Sequence, residues 1–149
     1  MNYAIEDLIA HDHPMILIDD VISHNDEMIE TSLTINEDTP FMFDGKVPCY
    51  VAVEYMAQSI AAYSGIIARE KGKAVRIGFL LGTRKLELLG DGFLIGDQLN
   101  IEAKALYNDG EMASFDCVTK KGEKIVAKAR LNVYQPSNDN LKMETKADG

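Results

Sequence analysis

The sequence predicts an α+β fold in which a long antiparallel sheet wraps around one central buried helix. Three observations carry that expectation. The segment from about residue 49 to 70 is apolar on nearly every side at helical spacing, and the chain beyond it alternates apolar and polar residues in runs broken by turn dipeptides. The third is size: 149 residues with 46% hydrophobic content suit one core and one domain. A chain of this length buries about 68–70% of the surface it exposes unfolded, so neither a disulfide nor a structural metal is needed to hold it.

The elements follow in order. Met15 to Ile22 is apolar and β-branched, Ser23 to Glu27 is polar, and Met28 to Ile35 is apolar again, which predicts strand, turn, strand. From Asn36 to Val47 the chain has Pro40, Gly45 and no steady period, and reads as a loop. Pro48 suits the start of the helix, whose Ala52, Ala57, Ala61 and Ala62 allow close approach of neighbours. Arg69, Lys71 and Lys73 around Gly72 end it with positive charge at its negative pole and a glycine stop. Val75 to Leu89 reads as a long apolar strand, and Leu99–Tyr107, Ala113–Thr119 and Ile125–Val133 each alternate with period two. Asp109-Gly110 and Lys121-Gly122 between them read as hairpin turns. The domain therefore spans 1–135, and the polar segment 136–149 is expected to be a mobile tail.

Composition excludes several function classes. Cys49 and Cys117 lie in apolar stretches without C-x-x-C or Cys/His spacing, which argues against a disulfide framework or zinc site and for a reducing, cytoplasmic setting. The acidic start, Met1 to Asp7, has no secretion-signal pattern, and Glu54, Gln58, Ser59 and Ser64 interrupt the one stretch of membrane-spanning length, Cys49–Ala68. A net charge of −9 makes duplex nucleic acid a poor partner. That charge is segregated: residues 1–48 hold 11 acidic side chains against Lys46 alone, and the remainder is nearly balanced. Arg69–Lys85 carries six basic residues and Lys120–Arg130 five, each against one Glu, where a small acidic partner could dock unless these are simply solvated helix ends and strand edges.

Glu54 is the candidate for chemistry. It is the one carboxylate between Gly45 and Arg69 and lies one turn into the apolar helix. Burial disfavours its charged form and the helix N-terminus favours it, a balance that acid–base catalysts use; a Glu that merely complements the helix dipole at the surface is the competing reading. Gln58, four residues on, shares its face and can orient the carboxyl group. Cys49, Tyr50 and Val51 offer backbone N–H groups at the helix start that could polarise a thioester carbonyl. His11 and His13, just before the first strand, are candidate bases; with Asp12, Asp19 and Asp20 they lack the placed third ligand of a metal site, and neither metal nor cofactor is expected. His24 falls in a polar turn and reads as solvated.

Three segments in order, His11-Asp12-His13-Pro14-Met15-Ile16-Leu17-Ile18-Asp19-Asp20-Val21, then Pro48 to Gln58, then Gly96-Asp97-Gln98-Leu99, resemble the 3-hydroxyacyl-carrier-protein dehydratases of the FabZ type, which have the hot-dog fold. The resemblance spans residues 8–134. Val47 to Val51, Glu54-Tyr55-Met56-Ala57-Gln58 and Ile77 to Arg84 are similar, more narrowly, to the dehydratase-like proteins of aryl polyene pigment clusters. The resemblance implies a dimer, an acyl chain in a tunnel beside the helix, a phosphopantetheine arm from an acyl carrier protein, and loss of water from a (3R)-hydroxyacyl thioester. It puts Glu54 at the family's helix carboxylate, Gln58 at its helix Gln, and Cys49, Tyr50, Gly78 and Phe79 beside the substrate. In that family a His from one subunit removes the α-proton while the carboxylate comes from the other.

That His does not carry over. The motif H-F-P-G-x-P-x-x-P-G, laid with its last two residues on Pro48-Cys49, puts Pro40 where the His belongs, and proline accepts no proton. Three readings stay open: an unlike hot-dog subunit contributes the His, or His11 or His13 reaches the site, or the chain is a hot-dog thioesterase that works with a helix carboxylate alone.

Overall fold

The computed structural model describes residues 3–9, 16–73 and 78–135. The alternation in the second half of the chain becomes three long strands whose inward residues form a floor for the helix. In chain order the elements are α1 (Ile5–Leu8), β1 (Asp20–His24), β2 (Met28–Thr34), β3 (Lys46–Val47), a 3-10 turn (Cys49–Val51) running into α2 (Ala52–Glu70), β4 (Phe79–Leu88), β5 (Phe93–Leu94), β6 (Gln98–Asn108), β7 (Met112–Lys121) and β8 (Lys124–Tyr134). Six strands form one antiparallel sheet in the order β1-β2-β6-β7-β8-β4, and β3 pairs with β5 apart from it.

One row of the register shows how the floor is made: Thr31, Ile101, Thr119 and Ala127 stand side by side across β2, β6, β7 and β8, and all four are fully buried. Because side chains alternate faces, Ile29, Leu33, Leu99, Phe115, Cys117 and Leu131 join them on the inner side. Onto this floor α2 lays Ala52, Tyr55, Met56, Ser59, Ala62, Tyr63 and Ile66, all buried. The two layers also exchange polar groups: Ser59 Oγ donates to the Tyr55 carbonyl (2.9 Å), which leaves the Thr31 hydroxyl, 2.7 Å away, to donate to Ser59. The opposite side of α2, with Val53, Ala57, Ala61, Ser64 and Ala68, is only half-buried by its own chain.

The expectation of one long helix wrapped by a sheet holds, with local corrections. Of the expected Met15–Ile22 strand, described from Ile16, Ile16–Asp19 are not strand and β1 runs over Asp20–His24; the Leu17 N–H is taken by the Gln58 side chain while Leu17 and Ile18 enter the core. His24 therefore ends β1 opposite Ile29 instead of sitting in the turn, its ring 6.3 Å from that of Tyr3. The second hairpin turns on Gly122-Glu123, with Gly122 at φ 63°. Val75 lies outside the described residues, and β4 is described from Phe79. The proposed tail, 136–149, lies outside the described residues, as do His11 and His13. Among the described residues no helix is long and apolar enough to cross a membrane.

α1 and the β3–β5 pair were not anticipated. α1 packs on α2 through a backbone contact: a Cβ on Gly65 would come within 2.2 Å of the Leu8 carbonyl oxygen. Only glycine admits that approach. We expect Gly65→Ala to push Ile5–Leu8 away, uncover the buried Ile5 and Leu8, and cost about 1–3 kcal/mol in chemical denaturation. Unchanged stability would show that α1 contributes little to the fold.

Candidate functional site

Pro48, at φ −58°, feeds the 3-10 turn Cys49–Val51, and Ala52 begins α2, so Glu54 stands in the helix's first turn. Glu54 is half-buried. Beside it Gln58 is almost fully buried, at 1% exposure, and bridges two elements. Its Oε1 accepts the Leu17 N–H at 2.7 Å, and its Nε2 donates to Glu54 Oε1 at 3.4 Å. The backbone fixes this polarity. A peptide N–H can only donate, so Gln58 must turn its oxygen to Leu17 and its amide protons to Glu54. The carboxyl group is thus offered a donor from behind, while its other oxygen has no hydrogen bond among the described residues. Gln58→Leu would strand a buried peptide N–H and is expected to cost about 1–3 kcal/mol in a melting measurement as well as release Glu54; an unchanged melting curve would mean that Leu17 finds another acceptor.

The helix start offers less than its sequence suggests. The Val51 N–H donates to the Pro48 carbonyl at 3.0 Å, so among the described residues only the Cys49 and Tyr50 N–H groups of the expected three lack a backbone acceptor. Cys49 is buried, its Sγ 3.4 Å from the Val126 carbonyl, whereas the Tyr50 ring is exposed. Phe41 and Phe43, in the loop before the helix, are also exposed, and Phe41 holds φ 70°, a conformation bulky residues rarely adopt.

Behind Glu54, Tyr55 is fully buried against Phe93, ring centroids 6.1 Å apart, and its hydroxyl has no hydrogen-bond partner among the described residues. Burial first, and the Asp19 carboxylate second, push its phenol up from 10.0 to about 12. The folded-state value is raised, so this contribution to stability is complete below about pH 10 and fades as pH rises toward 12, at about 1.4 kcal/mol per unit. Tyr55→Phe should remove that alkaline loss and, by deleting an orphaned hydroxyl, leave neutral-pH stability equal or higher. A lower stability at neutral pH would show that the hydroxyl has a partner in solution. Cys117, deep under the sheet, is likewise pushed up to about 12 by burial and then by Asp116, which makes it an inert thiol.

The single chain does not bring all the sequence-predicted residues together. Glu54, Gln58, Cys49 and Tyr50 cluster at the start of α2. The register of β4 puts Gly78 and Phe79 elsewhere: Leu88 stands opposite Ala127, next to the Val126 carbonyl that contacts Cys49, whereas Phe79 stands opposite Tyr134. With two bulges in β4, the nine steps from Phe79 to Leu88 face only the seven from Tyr134 to Ala127 on β8, about 23 Å of strand. The second basic stretch also changes meaning, since Lys120, Lys121, Lys128 and Arg130 are paired with Glu102, Asp97, Glu87 and Asp116. The residues the sequence did not point to are Leu17, whose N–H anchors the site from 41 positions away, and the orphaned Tyr55. No local pattern marks a backbone donor as a site component. Among the described residues, no three His, Cys, Asp or Glu gather to hold a metal ion.

Comparison with known proteins adds to this geometry. The family model ApeP-like, described as ApeP dehydratase, matches residues 3–145. A search of curated proteins finds no match. Among solved structures, the dehydratase heterocomplex ApeI:P from Xenorhabdus doucetiae superposes at a TM-score of 0.90 with 29% identity, covering 97% of this chain and 99% of that one. Smu.793 from Streptococcus mutans UA159, bound to acetyl CoA, gives 0.63 with 14% identity over 85% of this chain and 97% of the other. A hypothetical thioesterase with coenzyme A from Streptococcus pneumoniae TIGR4 gives 0.63 with 11% identity over 79% and 88%. The last two share the fold alone.

Proposed function

Given that this chain belongs to the ApeP-like family and is a hot-dog dehydratase of the aryl polyene type, we propose that it supplies the carboxylate half of a two-chain active site. The reaction removes water from a (3R)-3-hydroxyacyl thioester presented by an acyl carrier protein. The observation that carries this reading is Glu54, held at the start of α2 by a buried glutamine whose own orientation is fixed by the Leu17 backbone. Pro40 occupies the family's base position, so the α-proton is taken by a histidine of an unlike hot-dog subunit. The heterocomplex from Xenorhabdus doucetiae supports such pairing.

The step balances as follows. The base takes the proton from C2, its electron pair forms the C2–C3 double bond, and the C3–O bond breaks. The departing hydroxyl leaves as water with a proton delivered by Glu54 or by a water it holds. The Cys49 and Tyr50 N–H groups suit the thioester oxygen as charge builds there. Antiparallel addition of a subunit along β4 would carry the Gly78–Phe79 end of this chain toward the partner's helix start, which gives those residues a place beside the substrate across the interface. The acidic carrier docks on the basic residues that end α2, Arg69, Lys71 and Lys73, with an affinity that falls as salt rises.

The test is reconstitution. The purified chain is assayed alone and after co-expression with a neighbouring hot-dog gene, by the absorbance of an enoyl/3-hydroxyacyl thioester pair. Activity at least about 100-fold higher in the mixture is expected. Full activity of the isolated chain, lost in His11→Ala or His13→Ala, would move the base to the N-terminal segment. Release of free thiol from acyl-CoA without a 3-hydroxyl requirement would replace dehydration by thioester hydrolysis.

A further inference from the structure

β4 is the last strand of its sheet, and its outer backbone edge has no partner among the described residues. Its apolar side chains are open, with Phe79 48%, Leu81 55% and Leu86 45% exposed. A long apolar edge of this kind is normally covered, charged or broken. The middle of the strand is charged, with one sign. Arg84 stands directly opposite Arg130 of β8, a cross-strand pair of like charges that repel. Arg130 is engaged by Asp116 at 2.8 Å, and Lys85, bulged out of the ladder at φ 52°, bears on the same carboxylate through space. Neither Arg84 nor Lys85 has an ion-pair partner among the described residues. Glu87, further along, lies 3.9 Å from Lys128.

Pairing β4 with a second copy of this chain meets those charges twice. A two-fold antiparallel register that keeps each residue on its own face and overlaps most of the strand passes its axis through Thr83 or Arg84. Arg84 then stands opposite or diagonally beside the copy's Arg84, with Lys85 adjacent and Arg130 behind. On each side three cations face one carboxylate. An unlike subunit whose edge strand presents Asp or Glu at this register would cover the same apolar residues and neutralise the cations.

We propose that the charge on the free edge of β4, through Arg84 and Lys85, selects an acid-edged, unlike hot-dog subunit over a second copy of this chain. This rests on the two-chain reading above and names the chemistry of the partner's edge.

The chain can supply its own acid-edged partner for the test. The double variant Arg84→Glu, Lys85→Glu should fold, because its new Glu at 84 faces Arg130 within the same chain and replaces a repulsive pair by an attractive one; a melting curve checks this. Isotope-labelled wild type is mixed with the variant and the dimers are counted by native mass spectrometry. At low salt the ratio of mixed to like dimers is expected at least about tenfold above the one-to-one ratio of random pairing. The excess should shrink as salt is raised from about 50 mM to about 0.5 M, while the weak self-association of wild type strengthens. A statistical mixture, no mixed dimer, or a wild-type homodimer indifferent to salt would each overturn the proposal. Selective mixed dimers combined with full turnover by the isolated chain would instead uphold the edge selection and overturn the two-chain active site.

Discussion

Glu54→Gln in the reconstituted two-chain enzyme is expected to lower the rate of dehydration by about 10²–10⁴-fold, the usual worth of a positioned acid or base. The substitution keeps size and hydrogen-bonding capacity, and Glu54 is only half-buried, so the melting temperature should hardly move. The argument rests on how the carboxyl group is held. Gln58 cannot turn away from it without abandoning the buried Leu17 N–H, so the group is oriented before substrate arrives. Loss of turnover with unchanged folding would assign Glu54 to the chemistry. Unchanged turnover would leave this chain as a scaffold for a partner that carries the whole reaction.

The largest effect on stability is expected from Phe115→Ala, at about 3–5 kcal/mol and a melting temperature lower by on the order of 10 °C. Phe115 is fully buried in β7 between Ala105 and Leu131 of the flanking strands. It meets the edge of Tyr63 at 5.4 Å between centroids, and the Tyr63 hydroxyl donates to the Asp26 carbonyl at 2.5 Å. Removing the ring therefore opens a cavity under the sheet and loosens the tie between α2 and the β1–β2 turn. Chemical denaturation of the variant measures this; a cost below about 1 kcal/mol would mean that α2 settles into the gap.

The architecture was legible in the sequence because it depends on period. An apolar helix with no polar face and three alternating runs joined by glycine turns leave one economical arrangement, a sheet around a helix. Glu54 and Gln58 were legible for a related reason: four residues on a helix are neighbours by geometry, whatever else the chain does. α1 escaped because a helix of four residues has too few positions to show a period, and β3 and β5 escaped because two-residue strands have no alternation.

Tertiary structure alone decided the rest. The Leu17 anchor is a backbone group joined to Gln58 across 41 residues, and no side-chain pattern announces it. Gly78 and Phe79 sit in an apolar run that reads as one strand with Leu88, yet the register puts Phe79 about 23 Å of strand away from Leu88, which lies beside the helix start. The cations of Lys120–Arg130 read either as a docking surface or as a solvated strand edge, and the register pairs Lys120, Lys121, Lys128 and Arg130 with acids, while Arg84, part of a longer basic run, stands against Arg130 on an open edge. The sequence by itself determined the elements and the candidate acid, because those follow from local spacing. Which groups face each other, and which edge stays bare, depended on strand register, a property of the assembled sheet that no single segment encodes.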